Sequence, residues 1–304
     1  MSNGIKTVNA RKKVEWPSGY DYSYNEITKI LEISLNTHTK KLLKGIDVWA
    51  LAVSTYLEKY NDIVQEIRIV LHFTKHTPEV ESLLRRVSFL VINNRLNISI
   101  WLNGNRINLY PISALLKQKS NELLRSDVSD RDSKDKSTGL EKLLQNYLFD
   151  TGDKRTNERL AIFGEDFIGI KKKKLGSIRE FPTGVFNLNI SKNDRILPTE
   201  FVDFVTINKY GQLALIELKI NDTQLEVISQ ALNYFLFFAR YYEKLKPLLE
   251  ARLNVKLKKR IFKGYVVNNK LHPKFEDVKK YYRVKDTRMF PFEIVPTILG
   301  YYIK

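Results

Sequence analysis

Two charged residues interrupt the otherwise apolar stretch "LALIELKI", residues 213–220. The apolar run predicts a buried β-strand, in which successive side chains point to opposite faces of the sheet. Glu217 and Lys219 therefore share one face of the strand, while Leu218 points to the other. Burying a charge is costly unless the charge is paired, bound to a metal or used in a reaction. This stretch is thus a candidate site, although an exposed edge strand with an ion pair would give the same pattern.

A second carboxylate, Asp203, lies upstream in the apolar run "EFVDFVTI". A turn at 208–211 predicts that the two runs pair as a hairpin, which brings Asp203 and Glu217 to one end of a sheet. Two converging carboxylates repel unless one is protonated or a cation bridges them. Oxygen ligands suit Mg²⁺ or Mn²⁺, and the carbonyl of Leu218 is a further candidate ligand. Lys219 would then orient or help deprotonate a water, as phosphodiester hydrolysis requires.

The order of these residues resembles the PD-(D/E)xK nuclease superfamily. Asp203 on one strand and Glu-Leu-Lys at 217–219 on the next match its motif, except that Val202 stands where the namesake motif has proline. The resemblance implies an α/β protein with a restriction-endonuclease-like core, a mixed central sheet flanked by helices. It also implies a Mg²⁺-dependent endonuclease that cuts DNA, with Asp203 and Glu217 as metal ligands.

Residues on two predicted helices extend the resemblance. Gln230 and Tyr234 are four residues apart on a helix, hence on one face, and resemble the Q-x-x-x-Y element of one branch of the superfamily. Glu141 resembles the acidic residue that members often carry on the helix that opens the domain. These three residues join the predicted catalytic set. Structural roles stay open, since Thr138 and Glu141 also form a capping box and a tyrosine on an apolar helix is commonly part of the core.

The net charge of +17, from 51 basic and 34 acidic residues, favours a polyanionic partner. DNA is the expected partner. Two alternatives stay open: the protein acts on RNA instead, or it binds nucleic acid through a nuclease-like core that is inactive. Short basic runs are often solvated loops, but beside a nuclease core they become candidate phosphate contacts. The candidates are Lys171, Lys172, Lys173, Lys174, Lys258, Lys259 and Arg260.

The chain contains no cysteine, which excludes disulfides and thiolate zinc sites. The four histidines show no zinc-binding spacing. The N-terminus lacks the apolar segment of a signal peptide, and no run of about 18 apolar residues occurs. We therefore expect a soluble, cytoplasmic protein without a membrane partner. Both a monomer and a homodimer are open.

The chain divides at a polar segment, residues 126–138, which predicts a linker between an N-terminal α/β accessory domain (1–125) and the nuclease domain (139–304). In the accessory domain, residues 23–60 are predicted to be mainly helical. Thr77-Pro78 is typical of a helix start, and Asn103-Gly104 of a tight hairpin turn. In the nuclease domain we expect helices at 139–148 and about 223–245, short strands near 160–170 and 183–190, and strands at 261–268 and towards the C-terminus.

Overall fold

The computed structural model describes residues 5–7, 17, 19–73, 75–125, 139–148, 159–167 and 176–299. The predicted linker 126–138, with the capping residue Thr138, lies outside these residues, as do Lys171, Lys172, Lys173 and Lys174. The protein is a mixed α/β structure in which mixed sheets are flanked by helices. None of the helices in the described ranges is long and apolar enough to cross a membrane.

The N-terminal part forms a six-stranded sheet whose central strands β3, β4 and β5 are parallel. Two crossover helices, α1 and α2, connect these three strands. The strands are β1 Ile5–Thr7, β2 Asp21–Asn25, β3 Ile30–Leu35, β4 Glu66–Leu71, β5 Ile98–Leu102 and β6 Asn105–Arg106. The helices are α1 Lys40–Lys59, α2 Pro78–Asn94 and the short α3 Ile112–Leu116.

The helical prediction for 23–60 is wrong in its first half, where β2 and β3 form an antiparallel pair. In β3 every second residue is buried, a period of two that places Leu31, Ile33 and Leu35 on one face of the sheet. Only Lys40–Lys59 is helical. The helix start at Thr77 is confirmed, because its side chain accepts the Val80 N–H at 3.4 Å.

The turn at Asn103-Gly104 is also confirmed: it joins β5 to β6 with positive φ at both residues, 46° and 79°. Positive φ at both central positions is what a type I′ turn requires. Asparagine and glycine tolerate this backbone better than other residues do. The local sequence thus specifies the register of this hairpin.

The C-terminal part is built on a five-stranded mixed sheet with the order β14-β13-β12-β11-β8. Strand β11 is antiparallel to β8 and β12, whereas β12, β13 and β14 are parallel. The strands are β8 Ile178–Pro182, β11 Phe201–Ile207, β12 Leu213–Lys219, β13 Phe262–Asn268 and β14 Phe292–Ile298. The helices are α4 Leu140–Leu148, α5 Glu226–Leu253 and α6 Phe275–Lys279. A small third sheet joins β7 Leu123–Leu124, β9 Val185–Phe186 and β10 Arg195–Leu197.

Two predicted elements of this part differ from the structure. No strand forms at 160–167: the segment makes two 3-10 turns around Gly164, whose φ of 102° suits glycine. Of the strand predicted at 183–190, only the two residues of β9 pair. The predicted hairpin is confirmed, with its turn at 208–211, and so are the late strands β13 and β14. Helix α5 starts at Glu226 and runs past the predicted end to Leu253.

Helix α5 lies between the two large sheets and packs against both parts of the chain. It covers one face of the C-terminal sheet, and α1 and α2 pack against its other side. Phe235 stacks on Phe292 with ring centroids 4.5 Å apart and meets Phe89 of α2 edge to face at 6.2 Å. The opposite face of the C-terminal sheet is covered by Leu148 of α4 and by the 3-10 turns. The division into domains 1–125 and 139–304 stays a prediction.

Candidate active site

The hairpin of β11 and β12 opens at the end that carries the two carboxylates. Its backbone pairing stops at Phe204 and Ile216. Immediately beyond, the Leu218 N–H donates to Asp203 Oδ2 at 2.7 Å. The side chain thus takes the place of the backbone carbonyl that a continuing ladder would supply. Asp203 therefore lies where the two strands separate, and its relative solvent exposure is only 8%.

Glu217 and Lys219 lie side by side on one face of β12. Lys219 Nζ is 2.7 Å from Glu217 Oε1, and the glutamate is only 3% exposed. Leu218 points the other way and packs with Phe163 and Ile216 in the cluster under α4. The strand alternation predicted from the sequence therefore holds, and the ion pair belongs to a central strand, not to an edge.

The electrostatics of the site are dominated by burial. Burial, and then the charge of Glu217, hold the pKa of Asp203 well above its usual range. Burial also raises the pKa of Glu217, although Lys219 acts in the opposite direction. For Lys219, burial acts to lower the pKa, but the Glu217 carboxylate outweighs it and the pKa is raised. Lys219 is therefore a charged ammonium at neutral pH, which favours holding a water and a negative charge over acting as a base.

Helix α5 brings Tyr234 and Gln230 to this site. The Tyr234 hydroxyl is 3.1 Å from Glu217 Oε2 and 2.9 Å from the carbonyl oxygen of Phe201, so it donates its one proton to either acceptor. Gln230 Nε2 donates to the same hydroxyl at 2.6 Å. Burial, and then the charge of Glu217, raise the pKa of Tyr234, which keeps the phenol neutral. The pair of residues four apart therefore orients Glu217 from the helix side.

Helix α4 supplies a residue that the sequence did not single out. Gln145 Nε2 donates to Asp203 Oδ1 at 2.6 Å, and its Oε1 accepts from Arg179 of β8 at 3.3 Å. The signal in the sequence was its position one turn after Glu141 on the same helix face. A buried glutamine among leucines is a second signal, because a buried amide needs partners. Asp203 is thus fixed by one hydrogen bond to each of its oxygens.

Glu141 lies close enough to act on the site by its charge. Besides burial and Glu217, its charge adds to the raised pKa of Asp203. Within the described ranges, no hydrogen bond joins Glu141 to either carboxylate. The structure thus places Asp203, Glu217, Lys219, Tyr234 and Gln230 in one connected cluster, with Glu141 at its margin.

The predicted phosphate contacts are only partly described. Lys258 and Lys259 are exposed after α5. Arg260 pairs with Glu243 and lies over the rings of Tyr242 and Phe290, 5.4 and 5.6 Å from their centroids. Arg260 is thereby held against the protein surface, which leaves Lys258 and Lys259 as the freer cations of this run.

The donor set suits a hard divalent cation. Asp203 and Glu217 are both buried, and burial disfavours their ionised forms. A neighbouring carboxylate acts in the same direction on each, Glu217 on Asp203 and Glu200 on Glu217, and a cation would stabilise both ionised forms. Mg²⁺ is typically held by one or two carboxylates and keeps several waters. Within the described residues, no group of three or more His, Cys, Asp or Glu side chains is arranged to hold a metal. The candidate protein ligands are thus the carboxylate pair, and the Leu218 carbonyl stays a predicted ligand.

Comparison with known proteins does not assign a function to this site, so the site is interpreted from its own side chains. Neither a protein-family model nor a curated protein matches the sequence. The cluster combines two buried carboxylates, a charged lysine and a second layer of tyrosine and glutamine side chains that orient the carboxylates. This combination is equipped to bind a cation and to act on a group that carries negative charge.

Proposed function

We propose that the protein is a Mg²⁺-dependent nuclease that hydrolyses phosphodiester bonds of DNA, built on a restriction-endonuclease-like core. The observation that carries the proposal is the convergence of Asp203, Glu217 and Lys219 at the open end of the β11–β12 hairpin. The mixed five-stranded sheet with helices on both faces is consistent with such a core. Residues 139–304 would form the nuclease domain and 1–125 an accessory domain.

Each residue of the cluster has a distinct part in this reaction. Asp203 and Glu217 would hold Mg²⁺, for which Mn²⁺ substitutes, and the metal would supply positive charge for the scissile phosphate and an activated water. The Lys219 ammonium holds a water and offsets the charge that develops on the phosphate. Gln145 keeps Asp203 in place, while Tyr234 and Gln230 do the same for Glu217.

The net charge of +17 supports a nucleic-acid substrate. Attraction between basic side chains and phosphates is independent of sequence and brings the substrate to the site. Cutting both strands of a duplex would need two active sites, so a homodimer is the assembly proposed for that case.

The test is a cleavage assay on labelled supercoiled, linear, single-stranded and branched DNA and on RNA, each with Mg²⁺, Mn²⁺ or EDTA. We expect the wild type to cleave DNA only in the presence of the metal. We expect Asp203→Asn to lower the rate of this cleavage by on the order of a hundredfold or more. The matched control is Asp277→Asn, which alters a carboxylate that is 53% exposed and pairs with Lys274. The control should cleave at the wild-type rate.

Other outcomes separate the alternatives. A protein that shifts DNA on a gel in EDTA and in Mg²⁺ but never cuts it would be a nucleic-acid-binding protein with an inactive core. Cleavage of RNA alone would make it a ribonuclease on the same site. Full activity of Asp203→Asn would show that this cluster is not the active site.

Tyr234→Phe tests the orienting role of helix α5. Removing the hydroxyl takes a hydrogen-bond partner from Glu217 Oε2 and from Gln230 Nε2. Groups that orient metal ligands typically contribute tenfold to a hundredfold in metal affinity or activity. We therefore expect the Mg²⁺ concentration for half-maximal cleavage to rise about tenfold.

The control for this substitution is Tyr242→Phe, on the same helix. The Tyr242 ring packs against Phe262 and Phe290, and its hydroxyl makes no hydrogen bond to any described residue. Tyr242→Phe should keep the wild-type Mg²⁺ dependence. An unchanged Mg²⁺ dependence in Tyr234→Phe would assign Tyr234 to the core alone.

A further inference from the structure

An open cavity of about 500 Å³ lies where helix α2, the segment after α3 and the loop between β9 and β10 meet. Its volume falls in the roughly 300–1,000 Å³ range of ligand pockets in proteins. Its lining is polar and includes Arg85, Tyr110, Lys119, Asn121, Asn187 and Arg195. None of the residues that we place in the active site lines this cavity.

Two of the carboxylates that line the cavity are already neutralised. Arg85 Nε donates to Glu81 Oε1 at 2.9 Å, and the Tyr110 hydroxyl donates to Glu81 Oε2 at 2.7 Å. Glu122 is bound by Arg240, whose Nη2 is 2.8 Å from Oε1. The remaining carboxylate, Asp194, accepts a hydrogen bond from the Ser191 hydroxyl at 2.7 Å.

Two cations of the lining have no counterion. Among the described residues, neither Lys119 nor Arg195 lies within ion-pair distance of a carboxylate. The Arg195 guanidinium lies 5.9 Å from the centroid of the Phe186 ring, and its Nε is buried without a hydrogen-bond partner in the described structure. A buried charged donor without an acceptor is costly. An anion bound beside Arg195 and Lys119 would supply the countercharge that both cations lack.

We propose that this cavity is a phosphate-binding subsite that takes the phosphate group of a nucleotide or of a nucleic-acid strand. A guanidinium presents its N–H groups in a fixed fork that fits phosphate, and a lysine adds a mobile positive charge. Asn121 and Asn187, which are hydrogen-bonded to each other, place amide groups beside the cations for a sugar or a base. The two unpaired cations outnumber the single unneutralised carboxylate, Asp194, so the free site favours an anion.

Arg85 also lines a second, much smaller cavity on the side of the active site. This second cavity has a volume of about 20 Å³ and is lined as well by Thr183, Glu200 and Asn233. Glu200 is close enough to Glu217 for its charge to act on that carboxylate. A space of this size holds about one water and no nucleotide, so the inference concerns the larger cavity alone. The strand-binding form of the inference rests on the proposed nuclease function, whereas binding of a free nucleotide does not.

The experiment measures binding in EDTA, where no metal-dependent cleavage takes place. The probes are inorganic phosphate and AMP, followed by calorimetry, and fluorescein-labelled oligonucleotides with a 5′-phosphate or a 5′-hydroxyl, followed by anisotropy. The test variant combines Lys119→Gln with Arg195→Gln, which removes both charges and keeps most of the side-chain bulk. The matched control combines Lys256→Gln with Arg288→Gln, two exposed cations that pair with Glu250 and Asp286.

We expect the test variant to weaken binding by about tenfold or more, and the control variant by no more than about twofold at constant salt. Weaker binding of AMP and phosphate alone would support a free-nucleotide site, and weaker binding of the oligonucleotides would support a strand site. Equal binding by wild type and test variant, or no binding of any probe by the wild type, would overturn the inference. Circular dichroism and thermal unfolding test whether both variants are folded, and Arg195→Lys should retain part of the affinity.

The binding result and the cleavage result are independent of each other. If the wild type never cuts DNA but the test variant loses AMP binding, the subsite is supported and the proposed nuclease function is not. If the wild type cuts DNA and the test variant binds phosphate, AMP and the oligonucleotides as the wild type does, the nuclease function stands and the subsite is lost.

Discussion

Replacing Lys219 by alanine is expected to lower the rate of DNA cleavage by on the order of a hundredfold to a thousandfold while the protein stays folded. Lys219 Nζ lies 2.7 Å from Glu217 Oε1, and the charge of Glu217 keeps the lysine protonated against the effect of burial. Alanine removes the positive charge that would offset the charge developing on the phosphate. Single-turnover cleavage at saturating Mg²⁺ measures this loss as a change in rate.

Two further variants distinguish a lost charge from a disturbed sheet. Lys219→Arg keeps the charge and should retain more activity than Lys219→Ala, although its planar group has a different geometry. Lys40→Ala is the matched control, since this lysine is 69% exposed and pairs with Glu79 at 3.5 Å. It should cleave at the wild-type rate.

Binding completes the assignment of Lys219. DNA affinity in EDTA should be nearly the same for wild type and Lys219→Ala, because one charge contributes little to a multi-contact electrostatic interaction. A variant that binds DNA normally and does not cut places Lys219 in the chemical step. Wild-type cleavage by Lys219→Ala would remove the lysine from the mechanism.

The central hairpin of the site could be predicted from the sequence because its signals are local. Alternation along "LALIELKI" determines which side chains share a face, and the turn at 208–211 determines which strands pair. The helical spacing of Gln230 and Tyr234 places both on one face of α5. Each of these inferences needs only neighbours along the chain and the geometry of one element.

The contacts of Gln145 and Arg179 with the site could not be predicted in the same way. They depend on how α4 docks against β8 and β11, which brings together side chains far apart in the sequence. The helical prediction for 23–60 is wrong in its first half for a related reason. Strand β3 pairs with β4, which follows it in the sequence only after the whole of helix α1. Pairing with such a distant strand overrides the local helical propensity.

The packing of α1 and α2 against α5 could not be predicted from the sequence either. Asp47 and Arg86 are charged, and in the sequence they look like surface residues of amphipathic helices. In the structure both are buried and bind each other, with Arg86 Nε donating to Asp47 Oδ1 at 3.0 Å. Ser229 of α5 and Tyr282 donate to Asp47 Oδ2 at 3.0 and 2.9 Å. One carboxylate thus joins α1, α2, α5 and the segment after α6.

Asp47→Ala is therefore expected to destabilise the whole protein by about 3–5 kcal/mol. The substitution leaves the Arg86 guanidinium buried without its carboxylate and removes the acceptor of Ser229 and Tyr282. Breaking a buried pair costs far more than breaking an exposed one, which contributes about 0–1 kcal/mol. Urea unfolding followed by circular dichroism measures the loss as a lower midpoint at an unchanged slope.

The matched control is Asp277→Ala, which removes the partner of Lys274 at the surface and should change the free energy of unfolding by less than about 1 kcal/mol. If Asp47→Ala does not fold, Asp47→Asn keeps an acceptor and should show a smaller loss. The double variant Asp47→Leu with Arg86→Met should recover part of the stability, because it removes the uncompensated charge. A double variant no more stable than Asp47→Ala would show that the hydrogen bonds of Ser229 and Tyr282, and not the charge of Arg86, account for the loss.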